Sequence, residues 1–288
     1  WITDGSQNAR IGYNYVPKSP ATAGGLLYFT EYVDSYTRDL WVTDGSVSGA
    51  KSVKRFSRTN GLGFVDNLQA VGDKLFFQVV QDDSGRELWV ADGQTDPVLL
   101  DLYPGTESSS PGQITAIDGL AYFFAQDGEG QKLWKSDGTV SGTQSVITVG
   151  ASDIPSLLHS GNKIYLVQSE GDICCGIGPT TMSFYKLVDN KLDPVGQLES
   201  DDPFMETKAN IAGLIFVRMG GVSVLNTQTD KLLSVDLDNN EINVLGEFDG
   251  YVYLENGGVL YKTDGSEDSN NSGFVKIEQV KELNGSTL

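Results

Sequence analysis

Leu88-Trp89-Val90-Ala91-Asp92-Gly93 is the stretch that decides the fold, because the chain repeats it. Residues 40–45 and 133–138 are close copies, residues 260–265 are a weaker copy, and the chain opens inside another at Trp1. A phrase that recurs at intervals of about 45 residues indicates one structural unit used several times. The repeat therefore takes precedence over chain length in predicting the architecture.

The sequence around this stretch divides into four short segments. Residues 68–71, 74–80, 87–91 and 98–102 are rich in β-branched and aromatic side chains, and Gly or Asp bounds each segment. Such segments are typical of short strands joined by turns. Four antiparallel strands per repeat at this period predict an all-β fold and a blade of a β-propeller.

The same four-strand unit recurs along the chain and predicts six complete blades, at residues 20–56, 65–103, 113–148, 154–197, 206–238 and 241–278. Residues 1–15 supply only a third and a fourth strand, while residues 281–288 supply a first strand, a turn and the start of a second. Because these halves are complementary, we expect a seventh, composite blade that closes one domain over residues 1–288. Six or eight blades are the alternatives.

The repeated phrase itself has a structural interpretation. The aromatic residue is expected to fill the gap between neighbouring blades. Asp-Gly is expected to form a tight hairpin turn in which both residues take a positive φ, and the Asp side chain can also hydrogen-bond its own turn. The alternative, calcium binding by the repeated carboxylates, is disfavoured because calcium needs six or more oxygens at one point. The motif residues are Trp1, Asp4, Trp41, Asp44, Trp89, Asp92, Trp134, Asp137, Tyr261 and Asp264.

The copies resemble the bacterial family named for its E-L-W-x-x-D-G-T repeats. Residues 87–93 match that pattern up to Gln94, and residues 132–139 match it except at Lys132. The resemblance covers about two thirds of the chain and fades between residues 180 and 240. It implies a propeller in an extracellular or cell-surface setting, as part of a longer secreted or surface protein. It implies no defined reaction.

Charge excludes some classes of partner. There are 39 acidic and 20 basic residues, giving a formal net charge of −19, so nucleic acid and anionic membrane surfaces are disfavoured. Membrane insertion is not expected, because no apolar run reaches the roughly 18 residues of a spanning helix. The alternative is that the acidic excess serves only to keep the protein soluble.

The second-to-third loops and the connections between blades are expected on one irregular face, where acidic residues collect. A ring of carboxylates there could hold a cation, with calcium possible and no cofactor required, or a basic or polyhydroxyl ligand. The alternative is a solvated rim without a ligand. The candidate acidic residues are Asp82, Asp83, Asp127, Glu129, Glu170, Asp172, Asp201 and Asp202.

The longest insertion on this face, residues 169–182, contains the adjacent pair Cys174 and Cys175. In an oxidising compartment the pair could form a strained disulfide ring, a rigid apolar knuckle able to stack on a sugar. Alternatively the ring only stiffens the loop, or two free thiols bind a soft metal, which is the least favoured interpretation because no His lies nearby.

Catalytic patterns are weak. His159 is the only histidine, so a His-based triad has one possible base. We predict an extracellular, non-catalytic binding or adhesion module that recognises a glycan or another surface polymer through the irregular face. A structural or protein-interaction propeller is the alternative, and a carbohydrate-active hydrolase or lyase is the third hypothesis.

Overall fold

A computed structural model describes residues 2–3, 8–9, 18–46, 48–59, 61, 64–150, 156–170, 180–200, 205–237 and 242–282. These residues form strands, turns and loops and contain no helix, which confirms the predicted all-β class. No helix long and apolar enough to cross a membrane occurs in this part of the chain. The chain divides into two compact units, Trp1–Ala151 and Ser152–Leu288.

The first unit holds a two-stranded hairpin and three four-stranded antiparallel sheets. The hairpin consists of β1 (Ile2–Thr3) and β2 (Asn8–Ala9). The first sheet consists of β3 (Lys18–Ala23), β4 (Leu26–Tyr32), β5 (Thr37–Thr43) and β6 (Lys51–Ser57). The second consists of β7 (Phe64–Val71), β8 (Lys74–Gln81), β9 (Gly85–Ala91) and β10 (Val98–Leu100). The third consists of β11 (Thr115–Ile117), β12 (Leu120–Gln126), β13 (Gln131–Ser136) and β14 (Gln144–Thr148).

The second unit holds three more four-stranded antiparallel sheets, each paired in chain order. The fourth sheet consists of β15 (Ser156–Ser160), β16 (Lys163–Glu170), β17 (Thr180–Val188) and β18 (Lys191–Ser200). The fifth consists of β19 (Glu206–Ile211), β20 (Leu214–Met219), β21 (Gly221–Asn226) and β22 (Lys231–Ser234). The sixth consists of β23 (Asn243–Phe248), β24 (Tyr251–Asn256), β25 (Val259–Thr263) and β26 (Glu278–Glu282).

Within each unit, consecutive sheets pack face to face. Leu75, Phe77 and Val79 of β8 share one core with the first sheet, while the intervening Phe76 belongs to a second core with the third sheet. Side chains that alternate across a strand therefore fill two different interfaces. This explains why the second strands are continuous apolar runs rather than alternating ones.

The second unit repeats this arrangement. One core joins the fourth and fifth sheets through residues such as Phe184 and Ile215. Another joins the fifth and sixth sheets through Phe216, Val224 and Leu254. The fifth sheet is thus covered on both faces by its neighbours in this unit, as the second sheet is in the first unit.

The strands predicted for the second sheet are close to those observed. The first begins at Phe64 rather than residue 68, the third begins at Gly85 rather than residue 87, and the fourth ends at Leu100 rather than residue 102. In several sheets the pairing of the third strand with the fourth shifts register between the Leu and the aromatic residue of the repeat. This β-bulge recurs in four sheets, at Leu40/Trp41, Leu133/Trp134, Phe184/Tyr185 and Leu260/Tyr261.

The predicted composite blade needs one correction. Lys281 and Glu282 belong to the fourth strand of the sixth sheet, where they pair with Leu260 and Val259, and do not start a new sheet. The loop between the third and fourth strands of this sheet is long, residues 264–277, so the fourth strand begins only at Glu278 and includes Lys281 and Glu282. Residues 283–288, Trp1 and Asp4 lie outside the described residues.

Candidate functional site

Antiparallel order gives each sheet two distinct ends. First-to-second and third-to-fourth connections lie at one end, here called the motif end because the Asp-Gly pairs are there. Second-to-third loops and the connections to the next sheet lie at the other, here called the loop end. The sequence predicts function at the loop end, so the repeated motif and the loops can be described separately.

The motif tryptophans pack toward the preceding sheet where that sheet is described. The ring of Trp89 lies 5.1 Å from that of Phe56 in β6, edge to face. Trp134 packs against the core shared by the second and third sheets. Trp41 stacks on Phe29 of its own sheet at 6.4 Å, and Tyr261 packs against the core between the fifth and sixth sheets.

The Asp-Gly pairs do not form the predicted tight hairpins. Each Asp is followed by a longer loop, and the next strand begins only at Lys51, Val98, Gln144 or Glu278, while only the glycine of each pair takes a positive φ. The Asp carboxylate accepts backbone N–H groups two residues on, at 2.8–2.9 Å, from Ser46, Gln94, Thr139 and Ser266, which confirms that this side chain hydrogen-bonds its own turn. The hydroxyls of Ser46, Thr139 and Ser266, and after them their amides, lower the pKa of Asp44, Asp137 and Asp264. The Thr95 amide contributes most to lowering the pKa of Asp92. These four carboxylates therefore stabilise their own loops.

The glycine of the motif touches the preceding sheet. A Cβ at Gly93 would lie 2.5 Å from Leu26 Cδ1 and 2.7 Å from the Tyr28 hydroxyl oxygen. At Gly138 it would lie 2.7 Å from Lys74 Cδ. The motif glycine is thus required for its positive φ and also for close approach between sheets.

The first position of the motif anchors the loop end. Glu87 is fully buried, and its carboxylate accepts hydrogen bonds from Leu102 N at 3.0 Å, Ser109 N at 2.7 Å and Ser109 Oγ at 2.5 Å. Burial raises the pKa of Glu87, although these hydrogen bonds oppose it. The bond to Leu102 lies two residues beyond the end of β10 at Leu100. Glu87 therefore ties the connection between the second and third sheets.

In the neighbouring repeats the first motif position is held by ion pairs. Asp39 is 3% exposed and accepts two hydrogen bonds from Arg55, both at 2.7 Å. Lys132 donates to Asp127 Oδ2 at 2.6 Å and to Glu129 Oε2 at 2.7 Å. The charge at this position thus varies from repeat to repeat while its role in fixing a strand or loop is kept.

The fifth sheet contains a copy of the turn that the sequence did not reveal. Asn226 accepts hydrogen bonds from Gln228 N at 2.9 Å and Thr229 N at 3.2 Å, and its amide donates to Gly265 O at 2.8 Å. The signal for this turn is the asparagine itself, because Asn can replace Asp in such turns. Asp230, which in the sequence is a poor match to the Asp of the repeated motif, lies four residues after Asn226.

Asp230 joins the fourth and fifth sheets at the motif end. It accepts hydrogen bonds from Tyr165 Oη at 2.6 Å and Lys186 Nζ at 2.7 Å, and Lys163 Nζ lies at 3.5 Å. Partial burial raises the pKa of Asp230, but the hydrogen bonds and the two ammonium groups outweigh it and the net shift is downward. The carboxylate and the two ammonium groups of this cluster pair with one another, and the cluster connects the fourth sheet to the fifth.

The predicted acidic residues of the second sheet are held in structural contacts or exposed. Asp82 accepts hydrogen bonds from Thr59 Oγ1 at 2.5 Å, Thr59 N at 2.6 Å and Arg58 Nε at 3.2 Å. The Thr59 hydroxyl contributes most to lowering the pKa of Asp82 to about 2. Asp83 is exposed beside it. Asp82 thus fastens the connection from the first sheet to the second-to-third loop of the second.

The remaining predicted site residues are not assembled into a ring among the described residues. Asp127 and Glu129 meet through Lys132, and Glu170 is exposed at the end of β16. No group of three His, Cys, Asp or Glu side chains suited to a metal ion occurs within the described ranges. Five predicted residues lie outside those ranges, namely Asp172, Cys174, Cys175, Asp201 and Asp202.

Two further features bear on catalysis. His159 lies within β15 and pairs with Ile164, and its carbonyl accepts a hydrogen bond from Asn210 at 2.6 Å. A depression of about 320 Å³ lies on the fourth sheet around the β17 bulge. Its lining contains no carboxylate, histidine or cysteine. The lining residues are Ser183, Phe184, Tyr185, Pro194, Val195, Gly196 and Gln197.

The loop ends of the first two sheets carry an exposed group that the sequence analysis did not single out. Val33, Tyr36 and Phe64 are 44%, 51% and 37% exposed. Arg58 and Arg86 lie beside them: Arg58 N donates to Tyr36 O at 3.0 Å, and the Arg86 guanidinium lies 6.0 Å from the Phe64 ring centre. No signal in the sequence distinguishes these exposed aromatic residues from those in the core.

Arg58 and Arg86 are both paired with carboxylates. Arg58 bonds Asp82, and Arg86 NH1 lies 3.5 Å from Asp66 Oδ2. Phe64 pairs with Val80, close before the loop that contains Asp82. Phe64 and Arg86 both pair with Val80, so they lie on the face of the second sheet opposite to Leu75, Phe77 and Val79, which pack on the first sheet. Such a mixture of apolar, donor and acceptor groups is suited to binding rather than to acid–base chemistry.

No protein-family model matches the chain, and no curated protein matches it. Among solved structures, it is similar to the β-propeller domain of the Trilobed protease from Pyrococcus furiosus, with a TM-score of 0.46, 13% identity, and 91% and 84% of the two chains covered. It is also similar to the acylaminoacyl peptidase of Pyrococcus horikoshii (0.47, 14%), spanning 92% of this chain but 45% of that one. A putative 6-phosphogluconolactonase from Bacteroides fragilis matches at 0.40 and 11%, over 92% and 84%. These similarities concern the fold alone.

Proposed function

We propose that this protein is a non-catalytic binding module that recognises a glycan or another surface polymer through its loop ends. The observation that carries this proposal is the different use of acidic and apolar side chains among the described loop residues. The candidate acids Asp82, Asp127 and Glu129 are held by Arg58, Thr59 and Lys132, whereas Val33, Tyr36 and Phe64 are exposed at the loop ends of the first two sheets. Exposed apolar groups rimmed by polar ones mark interaction sites.

An extracellular or cell-surface setting is part of the same proposal. It is supported by the resemblance of residues 87–93 and 132–139 to the E-L-W-x-x-D-G-T repeats and by the net charge of −19. Surface polymers are the ligands available in that setting.

A binding panel tests the proposal. The intact chain is expected to bind at least one soluble or insoluble polysaccharide or cell-wall polymer, measured by calorimetry or pull-down, without releasing new reducing or unsaturated ends over hours. Heat-unfolded protein is the control for nonspecific adsorption. New ends would replace this proposal by a hydrolase or lyase, and absence of binding to every polymer would favour the structural or protein-interaction alternative.

We further propose that the sheets are blades of a propeller with a seventh, composite blade. In the second unit, Phe248 ends the first strand of the sixth sheet and is 72% exposed. The residues at the same position in earlier sheets, Ala23 and Val71, are 3% exposed and belong to cores shared with the next sheet. An isolated hairpin such as β1–β2 is marginally stable alone. Residues 283–288 adding to that hairpin would complete such a blade.

Hydrogen exchange tests this seventh blade. The amides of β1 and β2 are expected to be protected as strongly as those of β10, and removal of residues 283–288 is expected to abolish that protection while leaving β8 and β9 unchanged. Removal of the exposed loop residues 269–272 provides a control for nonspecific loosening. Rapid exchange of β1 and β2 in the intact chain would instead support six blades.

A further inference from the structure

One face of the second sheet carries a contiguous group of side chains at its loop end. Phe64, Val80 and Arg86 lie side by side on β7, β8 and β9, because Val80 pairs with both of the others. Asp66 and Gln78 pair in the next row of the same face. Strand pairing and alternation therefore place these five side chains together, on the face whose core residues are shared with the third sheet. We call these five residues the Phe64 cluster.

The cluster is joined by contacts as well as by strand register. Arg86 Nη1 donates to Gln78 Oε1 at 3.0 Å and lies 3.5 Å from Asp66 Oδ2. The Arg86 Cζ atom lies 6.0 Å from the centre of the Phe64 ring. Gln78 is 2% exposed, and its amide donates to Pro111 O in the connection to the third sheet. The guanidinium is thus anchored through a buried side chain.

The backbone of Arg86 is fixed by the same connection. β10 pairs with β9 only at residues 88–90, so it does not reach Arg86. Instead, Arg86 N donates to Ser108 Oγ at 2.9 Å, and Arg86 O accepts the Ser110 amide at 3.2 Å. A side chain held at both its backbone and its guanidinium loses little conformational entropy when a ligand binds, which favours measurable affinity.

Three members of the cluster are open to solvent. Phe64 is 37% exposed, and the side chains of Arg86 and Asp66 are 33% and 39% exposed. Arg86 offers N–H donors and Asp66 offers carboxylate acceptors, next to the apolar surface of an aromatic ring. A sugar ring presents C–H groups that pack on an aromatic ring, and hydroxyl groups that both donate and accept hydrogen bonds. The exposed groups of the cluster match both kinds of contact.

The charges of the cluster favour a neutral ligand. An acidic group that approaches the guanidinium of Arg86 would meet the Asp66 carboxylate beside it, and a cationic group that approaches Asp66 would meet Arg86. The net charge of −19 also repels polyanions. A ligand that is rich in hydroxyl groups and carries no charge meets none of these penalties.

We propose that the Phe64 cluster is a subsite for one neutral sugar residue of a polysaccharide, with the sugar ring against Phe64 and two neighbouring hydroxyl groups at Arg86 and Asp66. This inference rests on the proposed binding function and narrows it to a ligand class and to one face of one sheet. It differs from the sequence-based expectation, which put the site at the Cys174–Cys175 loop.

The test uses the intact chain with soluble neutral glucans, mannans and xylans, and with alginate and polygalacturonate as acidic probes. We expect binding to at least one neutral polymer, and about tenfold weaker binding for Phe64→Ala or Arg86→Ala. Phe64→Tyr keeps the ring and is expected to bind nearly as the wild type does.

Tyr36→Ala is the matched control, because it removes an exposed aromatic ring from the loop of the first sheet and is expected to leave affinity unchanged. Unaltered urea midpoints would show that the variants remain folded. Neutral-polymer binding that Phe64→Ala does not weaken, or that Tyr36→Ala weakens more, would overturn this inference and leave the binding function standing. A preference for the acidic probes would do the same. Failure to bind any polymer would overturn both.

Discussion

Replacing Gly93 by alanine is expected to lower the free energy of unfolding by about 2–5 kcal/mol, which is large for a single methyl group. Two causes add. Gly93 has a φ of +74°, where an alanine costs roughly 1–2 kcal/mol. The new methyl group would also press on Leu26 and on the fully buried Tyr28, and such overpacking costs about 1–3 kcal/mol.

Gly45→Ala separates these two causes. Gly45 holds the same motif position with a φ of +91°, but no atom of the described residues lies within 4 Å of its would-be Cβ. The Gly45→Ala variant is therefore expected to lose only about 1–2 kcal/mol of unfolding free energy. Urea unfolding followed by tryptophan fluorescence measures both variants. Equal losses would show that the motif glycine serves backbone conformation alone and that contact between sheets adds nothing.

Glu87→Ala is expected to cost about 3–5 kcal/mol of unfolding free energy, because it leaves the Leu102 amide, the Ser109 amide and the Ser109 hydroxyl buried without an acceptor. Glu87→Gln keeps the shape but turns an N–H₂ group toward one of these donors, and about 1–3 kcal/mol is expected. The exchange of amides in residues 101–114 should rise first, since these hydrogen bonds hold that connection.

The effect of Glu87 should depend on pH in a defined direction. Because burial raises the pKa of this carboxyl, the folded protein binds its proton more tightly than the unfolded chain does. The stability difference between wild type and Glu87→Ala should therefore be largest at acidic pH and shrink as pH rises through the raised pKa. Glu129→Gln is the control, because that side chain is 82% exposed, and it should show little change. A stability difference that grows with pH would mean that Glu87 is ionised with a lowered pKa.

The all-β class and the four-strand repeat were predictable because they depend on local signals that recur. Short apolar segments such as residues 74–80 are bounded by Gly or Asp in each copy, and repetition makes the register easy to recognise. The seven-blade count remains a prediction. The prediction of a tight Asp-Gly hairpin was wrong: the Asp carboxylate accepts the amide two residues on and so holds a longer loop.

The candidate site was harder to predict because it depends on which charges find partners. Asp82 and Asp127 have the same composition signal as free acidic residues, yet Thr59, Arg58 and Lys132 hold them. Arg58 and Thr59 are 24 and 23 residues away from Asp82 and belong to another connection. Lys132 is only five residues from Asp127, but nothing in the sequence shows that its side chain folds back on that loop. In the sequence, Tyr36 and Phe64 look like any core aromatic residue of a strand-rich chain, and only the packing of the sheets shows that they are exposed.

The hydrogen bonds at the first motif position differ between repeats, and this limits how the repeats could be rearranged. Asp39 is held by Arg55 in its own sheet and Lys132 by acids in its own loop, whereas Glu87 depends on Ser109, which lies beyond its sheet. The first and third repeats are self-contained modules in this respect, and the second is not. A chain built by duplicating or reordering repeats would have to carry residues 101–109 along with the second one, so the sequence order of these repeats is part of the structural design.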